Sequence, residues 1–123
     1  MPKGIHHVGL AVHSVKEVFR FFEEVFGAEM TDYEMETDEF LSRIIVVGKG
    51  LFELLEPRGS NGLIERFLNT RGEGIHHVSI AVDNLEEVLR ICGERGIKLI
   101  GNRFIHPGSS HGVLIELIDG STV

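Results

Sequence analysis

Polar and apolar positions alternate in two stretches of the chain that are almost the same. Gly4-Ile5-His6-His7-Val8-Gly9-Leu10-Ala11-Val12 returns 70 residues later as Gly74-Ile75-His76-His77-Val78-Ser79-Ile80-Ala81-Val82. A period of two predicts a β-strand with two unlike faces in each. Val8, Leu10 and Val12 make a bulky face suited to packing on a helix. His7 shares the other face with Gly9 and Ala11, and His77 shares it with Ser79 and Ala81. Small neighbours leave space above these two imidazoles. If the halves pair pseudosymmetrically, His7 and His77 face a shared cavity. His6 and His76 are expected to turn to the bulky side, at its edge.

A helix follows each of these strands. Ser14 with Glu17, and Asn84 with Glu87, have the spacing of an N-cap and a glutamate reaching back to it. Val15, Val18, Phe19, Phe22 and Phe26 form one helical apolar stripe, and Leu85, Val88, Leu89 and Cys92 form the other. Gly27 and either Gly93 or Gly96 can end the helices. Strands are predicted near 29–36, 41–48 and 51–57, and again near 97–100, 103–106 and 112–118. Gly101-Asn102 has the composition of a two-residue hairpin turn. Ser60 to Leu68 reads as a short linker helix. Leu51-Phe52-Glu53-Leu54-Leu55-Glu56 is echoed 63 residues on by Leu114-Ile115-Glu116-Leu117-Ile118-Asp119. The chain is thus read as one α+β domain, 1–123, built as βαβββ twice. The modules run 1–68 and 72–123, joined near Arg71-Gly72-Glu73-Gly74.

Length and composition agree with one small globular unit. There are 123 residues, 42% of them hydrophobic and 25% charged, which excludes disordered and fibrous classes. The net charge of −7, the absence of Trp and the single Tyr33 argue against nucleic acid or an anionic membrane as partner. Met1-Pro2-Lys3-Gly4 leads straight into a strand, so no leader segment and no membrane span are expected. Cys92 sits on a helical stripe and reads as a small core residue. A cytoplasmic protein is expected.

The glutamates supply the chemistry. Glu53 and Glu116 each stand mid-strand among apolar neighbours. A carboxylate there is costly unless it is protonated, paired with a cation or bound to a metal. Two His and two Glu, one pair from each half, suit a divalent ion such as Zn, Ni, Co, Mn or Fe(II). The blander alternative is a satisfied core histidine and a solvated glutamate at each place. It weakens because both residue types recur in register. His13, His106 and His111 have weaker claims, His106 and His111 as flanks of the Pro107-Gly108-Ser109-Ser110 loop. Arg43, Glu56 and Arg58 stand at strand ends, where solvated surface is the ordinary reading and contact with an anionic substrate the other. No phosphate-binding loop, dinucleotide-binding glycine pattern or nucleophilic Ser or Cys context is present.

The doubled βαβββ, with His on the first and Glu on the fourth strand of each half, resembles the vicinal oxygen chelate superfamily. That superfamily includes glyoxalase I, methylmalonyl-CoA epimerases, extradiol dioxygenases and antibiotic-resistance binders. Phe52-Glu53-Leu54-Leu55-Glu56-Pro57, Leu63-Ile64-Glu65-Arg66-Phe67-Leu68, Arg71-Gly72-Glu73-Gly74-Ile75-His76-His77, Phe104-Ile105-His106-Pro107 and Gly112-Val113-Leu114-Ile115-Glu116-Leu117 are similar to methylmalonyl-CoA epimerases in particular. Two places depart from those enzymes. Ser42-Arg43-Ile44-Ile45-Val46 has no carboxylate where some epimerases carry one. Only Gly101-Asn102 stands where they usually have a longer glycine-rich loop beside the acyl-CoA site.

The resemblance implies a curved, open-barrel sheet around a metal cleft. It places a divalent metal on His7, Glu53, His77 and Glu116, with Glu116 and Glu53 as the catalytic carboxylates. The implied activity is a metal-dependent isomerase that inverts C2 of a 2-substituted malonyl thioester through a metal-stabilised enolate. A glyoxalase I-like lyase or isomerase acting on a thiol hemithioacetal is the runner-up, and a metal-free small-molecule binder the rival from another class. A small-molecule substrate such as an acyl-CoA, and a homodimer, go with the enzyme reading.

Overall fold

The structure is a computed structural model, which describes residues 2–59 and 61–120. The elements run β1 (Pro2–Ala11), α1 (Val15–Phe26), β2 (Glu29–Glu36), β3 (Phe40–Val47), β4 (Gly50–Pro57), α2 (Leu63–Arg71), β5 (Gly74–Val82), α3 (Leu85–Glu94), β6 (Leu99–Ile100), β7 (Phe104–Ile105) and β8 (Ile115–Asp119). A single 3₁₀ turn covers Pro107–Ser109. The strands form an eight-stranded mixed sheet in the order β2-β3-β4-β1-β5-β8-β7-β6. With three α-helices among the described residues this is the α+β architecture expected. The linker helix begins at Leu63, and Ser60, where its start was expected, lies outside the described residues. No helix among the described residues is long and apolar enough to cross a membrane.

The chain divides into two compact units, one of Val8–His76 and one of Met1–His7 with His77–Val123. The start of β1, with His6 and His7, thus belongs with the second half of the sequence.

In the Val8–His76 unit, β1 and β4 pair in parallel, with Gly9 opposite Glu53. The strands β2, β3 and β4 follow as antiparallel neighbours. Ser14 caps α1 by accepting the Glu17 N–H at 3.1 Å, and left-handed Gly27 closes it. Val12, Val15, Ala28, Leu41, Ile45 and Leu54 form the core, with Leu10, Val18, Phe19, Phe22 and Phe52 packed on it. The expected stripe of α1 therefore holds except at its end, where Phe26 is exposed. Ala11, Leu55, Ile64 and Leu68 make a second cluster beneath α2.

Partly buried polar groups anchor the strand ends. Glu56 accepts the N–H of Val15, the first residue of α1, at 2.7 Å, which satisfies an otherwise orphaned helix donor. Its other carboxylate oxygen accepts from Arg58, which also donates to Glu36. Hydrogen bonding to Glu36 and Glu56 raises the Arg58 guanidinium above its ordinary value. Two extra residues bulge from β2 between Met30 and Glu34. Arg43 donates to the carbonyls of Tyr33 and Thr31 there, at 3.0 and 3.2 Å. These arginines are thus occupied within the fold. Arg43→Ala is expected to cost about 1–3 kcal/mol, since two carbonyls lose a charged donor. Urea unfolding of the variant measures it.

In the other unit, β5 and β8 pair in parallel with Ser79 opposite Glu116, and β7 lies antiparallel to β8 with Phe104 opposite Glu116. Asn84 caps α3 by accepting the Glu87 N–H, and Gly96, at φ 68, follows its end. Gly93 stays inside the helix, so of the two expected terminators Gly96 is used. Cys92 is buried. Strands β6 and β7 are shorter than their sequence suggests. Ile100 faces Phe104, so the turn between them spans three residues rather than the expected Gly101-Asn102 pair. Arg103 joins the turn because its carbonyl accepts the Leu117 N–H at 2.6 Å. Pro107 cannot donate to a ladder, and His111 and Gly112 adopt φ of 61 and 96, so extended structure resumes only at Ile115.

Candidate metal centre

Strand parity decides which histidines turn inward. In β1 the face of His7, Gly9 and Ala11 is buried while Val8 and Leu10 are only partly so, and β5 repeats this with His77, Ser79 and Ala81. The face with small side chains is thus the more buried one. His7 is 7% exposed and His77 5%.

These two rings meet edge to face with centroids 5.5 Å apart. Their Nε2 atoms are 3.4 Å apart, and each lies 3.6 Å from Glu116 Oε1. Ligand atoms sharing one ion at ~2.1 Å lie about 3.0–3.5 Å from one another. Two imidazole nitrogens and a carboxylate oxygen at these separations therefore fit one small divalent cation, and the cluster of His7, His77 and Glu116 could hold it. The donor set is that of borderline metals rather than Ca or Mg. Neighbours hold the rings. His6 Nδ1 is 2.8 Å from His7 Nδ1, so His7 presents Nε2 to the cluster. Phe104 lies edge-on to His77, centroids 6.2 Å apart.

Three of the four expected ligands therefore come together. Glu53, the fourth, belongs to the Val8–His76 unit, where its Oε2 accepts from Ser42 Oγ at 2.6 Å. His76 packs edge-on against Phe67. His6 differs from expectation, leaning onto His7 at the exposed end of β1. His106 accepts the Gly108 N–H at 2.9 Å and caps its own turn, and His111 and His13 are exposed. Sequence reasoning missed the hydroxyl of Ser79, seen only as a small neighbour. It lies 2.9 Å from His7 Nε2 and donates to Glu116 Oε1.

Known proteins resemble this chain along most of its length. The chain is 31% identical over 126 residues to the mitochondrial methylmalonyl-CoA epimerase of Bos taurus, spanning 92% of this chain and 72% of that protein. The crystal structure of methylmalonyl-CoA epimerase from Mycobacterium tuberculosis superposes with a TM-score of 0.85 at 26% identity, over 96% of this chain and 88% of that one. A hypothetical protein from Bacillus halodurans C-125 superposes with a TM-score of 0.85 at 30% identity, over 94% and 92% of the two chains. Residues 6–116, from the doublet of β1 to the glutamate of β8, match one sequence family. By that match the chain belongs to the glyoxalase/bleomycin resistance protein/dioxygenase superfamily.

Proposed function

We propose that this protein is a divalent-metal-dependent epimerase that inverts C2 of a 2-substituted malonyl thioester, as methylmalonyl-CoA epimerases do. Homology to those enzymes indicates an isomerase-type enzyme. The observation that carries the rest is the trio of buried His7 and His77 with partly exposed Glu116, ligand atoms 3.4 to 3.6 Å apart.

The reading assigns the metal to His7, His77, Glu116 and Glu53. A divalent ion there would supply Lewis-acid charge to the oxygens of a thioester and its carboxylate. The two imidazoles orient the site and, being buried, exclude water from it. Glu116 is 29% exposed on its side chain, so one edge of the carboxylate is open to an incoming substrate. Its role is to take the proton from C2 as general base. The C–H bond breaks as Glu116 gains the proton, the electron pair spreads into the thioester carbonyl, and a separate acid gives its own proton to the opposite face, which inverts the centre. Glu53 is the second carboxylate of this scheme. A cytoplasmic homodimer acting on an acyl-CoA goes with the reading.

A glyoxalase I-like enzyme acting on a thiol hemithioacetal is the second reading. One observation favours it. On β3 Ser42 is spent on Glu53 and the next residue, Arg43, on the bulge, so that strand brings no carboxylate.

The test is metal content followed by isotope exchange. Elemental analysis is expected to find about one divalent ion per chain, and methylmalonyl-CoA in D₂O is expected to exchange its C2 hydrogen. Turnover of a hemithioacetal without C2 exchange would move the assignment to the second reading. Failure to take up Co, Ni, Mn or Zn would overturn the enzyme reading for both.

A further inference from the structure

Both glutamates of the repeat are held by a serine hydroxyl, and the two serines do not correspond to each other. Ser79 and Ser42 are each 0% exposed. Ser79 stands on β5 directly opposite Glu116 and donates to its Oε1. The corresponding place opposite Glu53 is Gly9, which has no side chain. There the hydroxyl comes from β3 instead. Ile44 is the residue opposite Glu53, and Ser42 lies diagonal to it on the same face. Simple duplication would have left the serine at matching positions. The same contact reached from different strands points to a requirement at the carboxylate.

We propose that Ser79 is a positioning residue for the metal centre, fixing the Glu116 carboxylate toward His7 and His77. The proposal rests on the metal reading above. A carboxylate on a partly exposed strand has several rotamers, and only some present an oxygen to the imidazoles. The hydroxyl of Ser79 restricts that choice before an ion arrives. It has one proton, which goes to Glu116, and its oxygen lies 2.9 Å from His7 Nε2, so the same hydroxyl touches two members of the cluster. Outer partners of this kind commonly change metal affinity by ~10–100-fold.

Cobalt(II) titration of metal-stripped protein tests this, by calorimetry and by the visible absorption of the bound ion. Ser79→Ala is expected to weaken Co(II) binding by about 10–100-fold and to change the visible bands. Ser79→Thr, which keeps the hydroxyl, is expected to bind more tightly than the alanine variant. Melting of the stripped proteins separates positioning from folding, because a merely structural serine would lower the melting temperature and leave the affinity alone. If the alanine variant does not fold, Ser79→Gly, which copies Gly9, takes its place. Wild-type affinity in the variant lacking the hydroxyl overturns the proposal and leaves the metal reading intact. No Co(II) uptake by the wild-type protein overturns both.

Discussion

Glu116→Gln is expected to lower C2 hydrogen exchange by about 10²–10⁴-fold, the range for loss of a positioned general base. The amide keeps the size and shape of the carboxylate, and the Ser79 hydroxyl can still donate to its carbonyl oxygen. The side chain is partly open to solvent, 29% exposed, so an uncharged group there leaves no buried charge unpaired. The fold is therefore expected to melt as the wild type does when metal is absent. The lost quantities are the negative charge beside His7 and His77 and the capacity to accept a proton. Exchange of methylmalonyl-CoA in D₂O, followed by mass, measures the effect, and circular dichroism checks the fold. Exchange within threefold of wild type would remove Glu116 from the role of base.

The second large effect is on stability. An ion that binds the folded chain and not the unfolded one adds about 2.7 kcal/mol at a concentration 100 times its dissociation constant. For a chain of this size that corresponds to a melting shift of roughly 10 °C. Chelator is expected to remove that increment from wild type. His77→Ala is expected to melt at one temperature with or without chelator. His77 is 5% exposed and its Nε2 is 3.4 Å from that of His7. An alanine there also leaves a cavity, so the informative quantity is the difference between the two melts of each protein. A metal-free binding protein would show no such difference in the wild type.

The repeat made most of this architecture legible. An echoed strand, an N-cap and a glutamate at matching distances define two similar halves without any three-dimensional information. Parity along the strand also marked His7 and His77 as the more buried histidine of each doublet, because alternation is a rigid geometric rule, although the His6 ring leans back onto His7. Other features depend on contacts that local pattern does not contain. The hairpin after Ile100 takes in Arg103 because a distant strand, through Leu117, claims its carbonyl. Arg43 read as surface because the two-residue bulge it closes leaves no signature in a run of alternating residues. Ser79 read as small because its hydroxyl matters only once β8 brings Glu116 opposite. Ser42 was harder still, since its partner lies diagonally on the next strand.

The bulged strand β2 has a further consequence. It ends the sheet order, so one row of its backbone groups faces outward, a template on which another extended chain could add. Glu29, Asp32, Glu34 and Glu36 line that strand and are exposed, and the extra residues break its flat register. A second copy approaching edge to edge would oppose one acidic row with another. The border is thus guarded by like charge and irregular shape together, and the electrostatic half of that guard weakens as salt screens it. Edge-to-edge addition at this one strand is opposed by its charge and by its bulge together, which leaves the other faces of the molecule free to make contacts of their own.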